Sequence, residues 1–176
     1  MWENRSNGFP TIYEKYIDTY RALQEMGEDI WLYACGFPSG YMMNRIIDLP
    51  LLVSRLFMWV CYHYQCPGYL HWGYASHNEE IEKETCYRRR DDKFPPGNSF
   101  IAYPSRDDQD KVWYSVRGHH MRLGASDYEL FHMLGEKESY ETVDRMITKL
   151  CRGFEDYEAG VKLAEEIRHH VLELLG

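Results

Sequence analysis

The sequence predicts an α/β fold: two short parallel strands joined through a helix, then a β-hairpin, then a helical C-terminal part. Three observations predict it. Helical and strand-like periodicities alternate along the first part of the chain with short connections, an order that favours parallel neighbours joined by a right-handed crossover. Two runs, "SFIAYP" and "KVWYSVR", flank the polar turn "SRDDQD" as the arms of a hairpin or two edge strands would. Helical spacing and cap residues fill the remainder, and a 44% hydrophobic content over 176 residues is ample for one core.

The first element is a helix over Ile12 to Met26, where Ile12, Tyr16, Tyr20 and Leu23 recur at helical spacing and Gly27 supplies the left-handed stop. "DIWLYACG" follows as a strand. Its period of two puts Trp31, Tyr33 and Cys35 on one face, opposite Ile30, Leu32 and Ala34. After the loop "FPSGYMMNRII" comes the helix "DLPLLVSRLFMWVCYHYQ", with Asp48 as cap, Pro50 in the first turn, and Leu52, Leu56, Trp59 and Val60 striping one face. The strand "YLHWG" begins after "CPG". If the two strands are parallel, Cys35 with Gly36 and Gly73 with Tyr74 open on the same side, where α/β sheets and barrels bind ligands.

Residues 75–98 read as a long polar loop. Beyond the hairpin, Ser126 with Glu129 spells a capping box for "DYELFHML", which Gly135 would stop. Later helices are expected over roughly Tyr140 to Cys151 and Tyr157 to Leu175. Two parts follow, 1–98 with the βα units and long loop, and 99–176 with the hairpin and helical extension packed on the same domain.

A net charge of −8 argues against nucleic acid, whose phosphates call for clustered Lys and Arg. The one basic run, Arg88 to Arg90, is followed directly by Asp91 and Asp92 and reads as a solvated loop. No stretch approaches the roughly 18 to 20 apolar residues of a membrane span, and "MWENRSNGFP" lacks the features of a signal peptide, so a soluble, by default cytoplasmic, chain is expected. Cys35, Cys61, Cys66, Cys86 and Cys151 show no CxxC spacing and read as reduced thiols.

The acidic pairs Glu79 with Glu80, Asp91 with Asp92, Asp107 with Asp108, and Glu165 with Glu166 all sit in polar loops or on a helix surface, and are read as solvated. Of the histidines only His71 and His77 lie near the strand mouth, and two without a third ligand define no metal site. Neither a metal nor another cofactor is expected. Phosphate loops and the HExxH and GxSxG motifs do not occur.

What remains is aromatic: Trp31 and Tyr33 on one strand, Trp72 and Tyr74 ending the other. Such rings serve equally as core packing or as a stacking platform for a pyranose, with Asn44 and Arg45 in the following loop as its polar partners.

The run from "WLYACGFPSGYMMNRIIDLP" to "GYLHWGY", then "PPGNSFIAYP", then "SVRGHHMRLGASDYELFHML", resembles the C-terminal half of the glycoside hydrolase family 123 catalytic domain. An Asn-Arg-x-x-Asp loop, a Gly-Tyr-Leu-x-Trp-Gly strand, a Pro-Gly-Asn turn into a Tyr-Pro strand, and an Arg-x-Gly-x-x-Asp-Tyr-Glu segment come in the family's order. The resemblance implies the C-terminal part of a (β/α)8 TIM-type barrel, its last βα units, followed by a short β-hairpin and C-terminal helices. It also implies action on N-acetylhexosamine glycosides, of the N-acetylgalactosamine type, by a substrate-assisted mechanism without a metal. In that mechanism the sugar's acetamido oxygen attacks the anomeric carbon, an Asp orients it, and the adjacent Glu protonates the leaving oxygen.

On this resemblance Tyr33, Asn44, Arg45 and Trp72, together with Tyr74, are expected to contact the sugar. Asp48 and Arg55 take structural roles as cap and as ion pair or loop anchor, while Ser126 and Glu129 cap their helix. No catalytic residue is assigned, because the family's Asp-Glu pair belongs to an earlier strand and no Asp-Glu dipeptide occurs in this sequence. A whole barrel also takes about 250 residues. The chain is therefore expected to be a segment of a hydrolase that does not turn over alone. Alternatives are a non-catalytic carbohydrate-binding or protein-interaction module, and a chain whose open strands need an oligomer or partner chain to complete the barrel.

Overall fold

The structure is a computed structural model that describes residues 16–36, 40–76, 95–106, 108 and 111–176. It is a mixed α/β arrangement with two small sheets. Helix α1 spans Ile17–Glu25, and the start expected at Ile12 lies outside the described residues. Gly27, at φ +91°, ends it.

Strands β1 (Trp31–Ala34) and β2 (Gly68–His71) pair in parallel, Trp31 opposite Gly68 and Ala34 opposite His71. Between them runs α2, Val53–His63, which covers one face of the pair. Leu32 and Ala34 are buried under it, and Phe57 packs on Tyr69 with ring centroids 4.1 Å apart. The apolar stripe expected of this helix is thus its inner side.

Asp48 does not cap α2. Leu52 occupies the N-cap position without a side-chain cap bond, because the amides of Val53, Ser54 and Arg55 find the carbonyls of Pro50, Leu51 and Leu52 at 2.9–3.2 Å. That tight turn supplies acceptors for the helix's first donors from its own backbone.

Strands β3 (Ala102–Pro104) and β4 (Val112–Tyr114) form the expected hairpin, antiparallel, with Ala102 opposite Tyr114. The largest departure from expectation follows. Helix α3 runs unbroken from Val116 to Lys137, and its cap is Ser115, whose hydroxyl accepts from the Gly118 amide at 3.1 Å. Ser126 and Glu129 lie inside this helix, so they form no capping box, and Gly135 does not stop it.

Packing explains why the helix tolerates its glycines. A Cβ on Gly124 would stand 2.4 Å from the carbonyl oxygen of Arg55, so α2 and α3 can approach this closely only at a glycine. Helix α4 spans Tyr140–Ile147 under the cap Ser139, and α5 spans Val161–Leu175. Both are shorter than expected, since Cys151 and Tyr157 form an antiparallel bridge that takes the chain between them out of helix.

The core lies where α2 meets α3. Trp59 packs edge-on against Phe131 at 5.0 Å, and Leu56, Val60 and Leu134 are fully buried beside Val143, Ile147, Ala164 and Val171 from the later helices.

Candidate functional site

The parallel pairing brings the C-terminal ends of β1 and β2 together. On the sheet face away from α2, Trp31, Tyr33 and Leu70 are all more than half exposed, and Trp72 and Tyr74 continue that surface past the end of β2 at 50% and 58%. These aromatics are not core. Leu32 and Ala34 on the opposite face are.

Beneath the rings sits a polar layer. The Asn44 amide donates to the Cys35 carbonyl at 2.8 Å, while its oxygen accepts from the Arg45 amide at 2.8 Å and faces His71 Nε2 at 3.0 Å. One side chain therefore ties the end of β1 to the end of β2. The Arg45 guanidinium donates to the Gly73 carbonyl and lies 3.4 Å from that of Trp72 and 3.5 Å from that of Asn98. Asn44 and Arg45 are both buried, and these contacts orient the backbone that carries Trp72 and Tyr74.

A second buried arginine, which sequence reasoning missed, completes the layer. Arg117 donates to the carbonyls of Arg45 at 2.5 Å, Gly97 at 2.7 Å and Phe100 at 2.9 Å, with its guanidinium 5.5 Å from the Phe100 ring. Its only sequence signal was its place in the "SVRGHH" segment.

Burial chiefly, together with nearby Arg117, lowers the Arg45 pKa to about 10, against an opposing pull from Tyr69. Burial and then the Arg45 charge push His71 down to about 3, so its ring is neutral. A neutral imidazole has one N–H. His71 faces two acceptors, the Trp72 carbonyl at 2.8 Å and Asn44 Oδ1 at 3.0 Å, and donates to one at a time. Arg45 Nε, the Tyr69 hydroxyl and Asn98 Oδ1 are buried without a hydrogen-bond partner among the described residues.

Arg55 belongs to a different cluster. Its Nε donates to Asp127 Oδ2 at 2.5 Å, its Nη1 pairs with Glu165, Trp59 Nε1 donates to the same Asp127 oxygen at 2.8 Å, and Arg168 pairs with Oδ1. Ser126 accepts weakly from Arg168 at 3.4 Å. This cluster joins α2, α3 and α5, and Asp127 at its centre was legible only as one letter of a motif.

Among the described residues the members of the acidic pairs are met by cations. Glu165 pairs with Arg55, Glu166 with Lys162 at 3.6 Å, and Asp108 with Lys111 at 3.0 Å. Glu79, Glu80, Asp91, Asp92, Asp107 and His77 lie outside the described residues. Among the described residues no group of three or more His, Cys, Asp or Glu side chains could hold a metal, and no helix is long and apolar enough to cross a membrane.

The sequence profile for "Glycoside hydrolase 123, catalytic domain" matches residues 5–134. The chain belongs to the glycoside hydrolase 123 family. The matched span contains the strand mouth, the polar layer and Asp127. A solved family 123 glycoside hydrolase from Clostridium perfringens, studied for the details of glycolipid glycan hydrolysis, shares the fold with a TM-score of 0.67 at 19% identity. The match covers 92% of this chain and 29% of that one, so this family 123 chain spans under a third of its solved relative's length. No curated protein matches it.

Proposed function

We propose that this family 123 chain contributes the closing βα units of a (β/α)8 barrel and presents one wall of a sugar site at the C-terminal ends of β1 and β2. The observation that carries the reading is the exposed aromatic set Tyr33, Trp72 and Tyr74 above a polar layer of buried Asn44 and Arg45 and half-buried His71. An aromatic face packs on the C–H face of a pyranose, and the rings here are held by backbone that buried side chains fix. The substrate class is an N-acetylhexosamine glycoside. Asn44 and Arg45 support the site from beneath, and their contribution to sugar contact passes through the loops they hold.

Because the sequence has no Asp-Glu dipeptide, the chain binds without cleaving, and any turnover draws its carboxylates from another polypeptide segment. Strands from such a segment would cover Trp31 and Leu70, whose exposed apolar surface favours a partner chain or oligomer as the assembled form.

A titration of the full chain with N-acetylgalactosamine and N-acetylglucosamine, followed by its thermal melt, tests this. A saturable rise with one sugar is expected. Trp72→Ala should then weaken binding by about 1 kcal/mol. A cooperative melt indifferent to both sugars overturns the reading, and release of nitrophenol from an N-acetylgalactosaminide by the pure chain overturns the claim that it does not cleave.

A further inference from the structure

Asn44 and Arg45 sit in a segment that is neither helix nor strand, yet residues 42–46 are all buried. Such a segment has no ladder of its own, so its place depends on what it is tied to. Toward the strand ends the ties are those of Asn44 and Arg45 themselves. On another side the segment is tied to the connection 151–157, between α4 and α5.

The tyrosine ties are reciprocal. The Tyr41 hydroxyl donates to the Tyr157 carbonyl at 3.1 Å, the Tyr157 hydroxyl donates to the Tyr41 carbonyl at 2.6 Å, and the rings stack with centroids 4.8 Å apart at 5°. The Met43 amide, next to Asn44, donates to the Phe154 carbonyl at 2.8 Å. Sliding one segment along the other would break both tyrosine bonds and the stack together, so the pairing fixes register as well as distance.

The connection is itself closed. Cys151 and Tyr157 bridge its ends, the Arg152 amide donates to the Asp156 carbonyl at 2.8 Å, and the Arg152 guanidinium grips the Asp156 carboxylate in a fork at 2.6 and 2.9 Å. Phe154 packs on Phe57 and Tyr64 at 5.8 and 5.5 Å, which seats the connection on α2 and its C-cap. Tyr157 is 4% exposed and lies beyond residue 134, where the match to the family ends.

We infer that Tyr157 and the closed connection it ends are a positioning device for the strand mouth, holding the segment that carries Asn44 and Arg45 and, through those side chains, the His71 ring and the backbone of Trp72. Its bearing on ligand affinity rests on the sugar-site reading above, and its bearing on His71 does not. Asn44 Oδ1 faces His71 Nε2 at 3.0 Å, three residues on from Tyr41. When the segment loosens, Asn44 and Arg45 withdraw and water reaches the ring. Burial and the Arg45 charge, which keep that ring neutral, then weaken together.

The test follows the His71 ring of the full chain by NMR between pH 7 and pH 5. In the wild type the ring should stay neutral through that range. Tyr41→Ala combined with Tyr157→Phe removes both tyrosine bonds and the stack, and should bring the His71 titration into the range, toward its ordinary 6.5. Val171→Ala, which opens the buried core on α5 instead, should lower the melting temperature and leave His71 unmoved. Affinity for N-acetylgalactosamine should fall about threefold to tenfold in the double variant, because the binding arrangement is then populated only part of the time. If the double variant loses its cooperative melt, Tyr157→Phe alone gives the same comparison on a smaller scale. A His71 ring that titrates alike in wild type and variant overturns the positioning role and leaves the sugar site standing. So does an equal shift in Val171→Ala. A ring shifted only in the tyrosine variants, in a chain with no affinity for the sugar, upholds the positioning role and overturns the sugar site.

Discussion

Of the three buried arginines among the described residues, Arg55 at 2% exposure and Arg45 at 4% have their charges met in opposite ways. Burial works against the Arg55 charge, but the bonds and charge of Asp127, and then of Glu165, outweigh it and raise its pKa. Among the described residues Arg45 has carbonyl acceptors alone, and its pKa falls, chiefly through burial. The first arrangement fastens three helices to one another through compensated charge. The second holds the backbone at the strand ends through carbonyls alone, with no carboxylate beside its charge among the described residues.

The comparison is most severely broken at Asp127. Asp127→Ala leaves Arg55 short of its main partner and orphans the Trp59 N–H, and should cost about 3–5 kcal/mol in a urea or guanidinium titration. Arg45→Met strands no carboxylate, so its cost should be smaller, about 1–3 kcal/mol for the unpaired carbonyls it leaves. A loss as large as that for Asp127→Ala would mean that the two arginines are not different in kind.

His71 sharpens the contrast through pH. Its folded pKa of about 3 lies below the ordinary 6.5, so the unfolded chain takes up the proton first as pH falls. Its contribution to stability is complete above pH 6.5 and is lost as the pH drops from there toward 3, at up to about 1.4 kcal/mol per pH unit. Urea midpoints between pH 7 and pH 5 should show the decline, His71→Gln should flatten it, and Arg45→Met should lessen it by removing the charge that helps to hold the ring neutral. The smallest effect is expected on the surface. Trp72→Ala should move stability by no more than about 0.5 kcal/mol, because the ring is half exposed.

Period-two alternation sorted the residues of β1 onto two faces without saying which is buried, and the strand–helix–strand order announced the parallel pairing. Both are local patterns backed by strong steric rules. Helix α3 was misread for an equally physical reason. The capping-box spelling of Ser126 with Glu129 drew the start there, and "RGHHMRLGAS" before it carries two glycines, which disfavour helix. The helix persists there because Gly124 fits against the Arg55 carbonyl, a contact between residues far apart in sequence. Asp127 was hidden by the same distance, since nothing in its neighbours along the chain says that Arg55 and Arg168 converge on it. Asn44 and Arg45 were found as polar residues near a mouth, but their burial beneath it depends on carbonyls at 35, 73 and 98 that no pattern marks.

In the register of β1 on β2, Trp31 stands opposite Gly68, and a Cβ at Gly68 would lie 2.4–2.5 Å from the indole atoms. A slip by one residue would turn β2 over and is opposed by burial alone. A slip by two keeps the faces and is the harder error to prevent. It would set the Leu70 side chain where the indole now rests on bare backbone. The missing methyl at residue 68 thus acts as an alignment mark, seating the large ring in one place along the neighbouring strand and so fixing how far Trp72 projects beyond the end of β1.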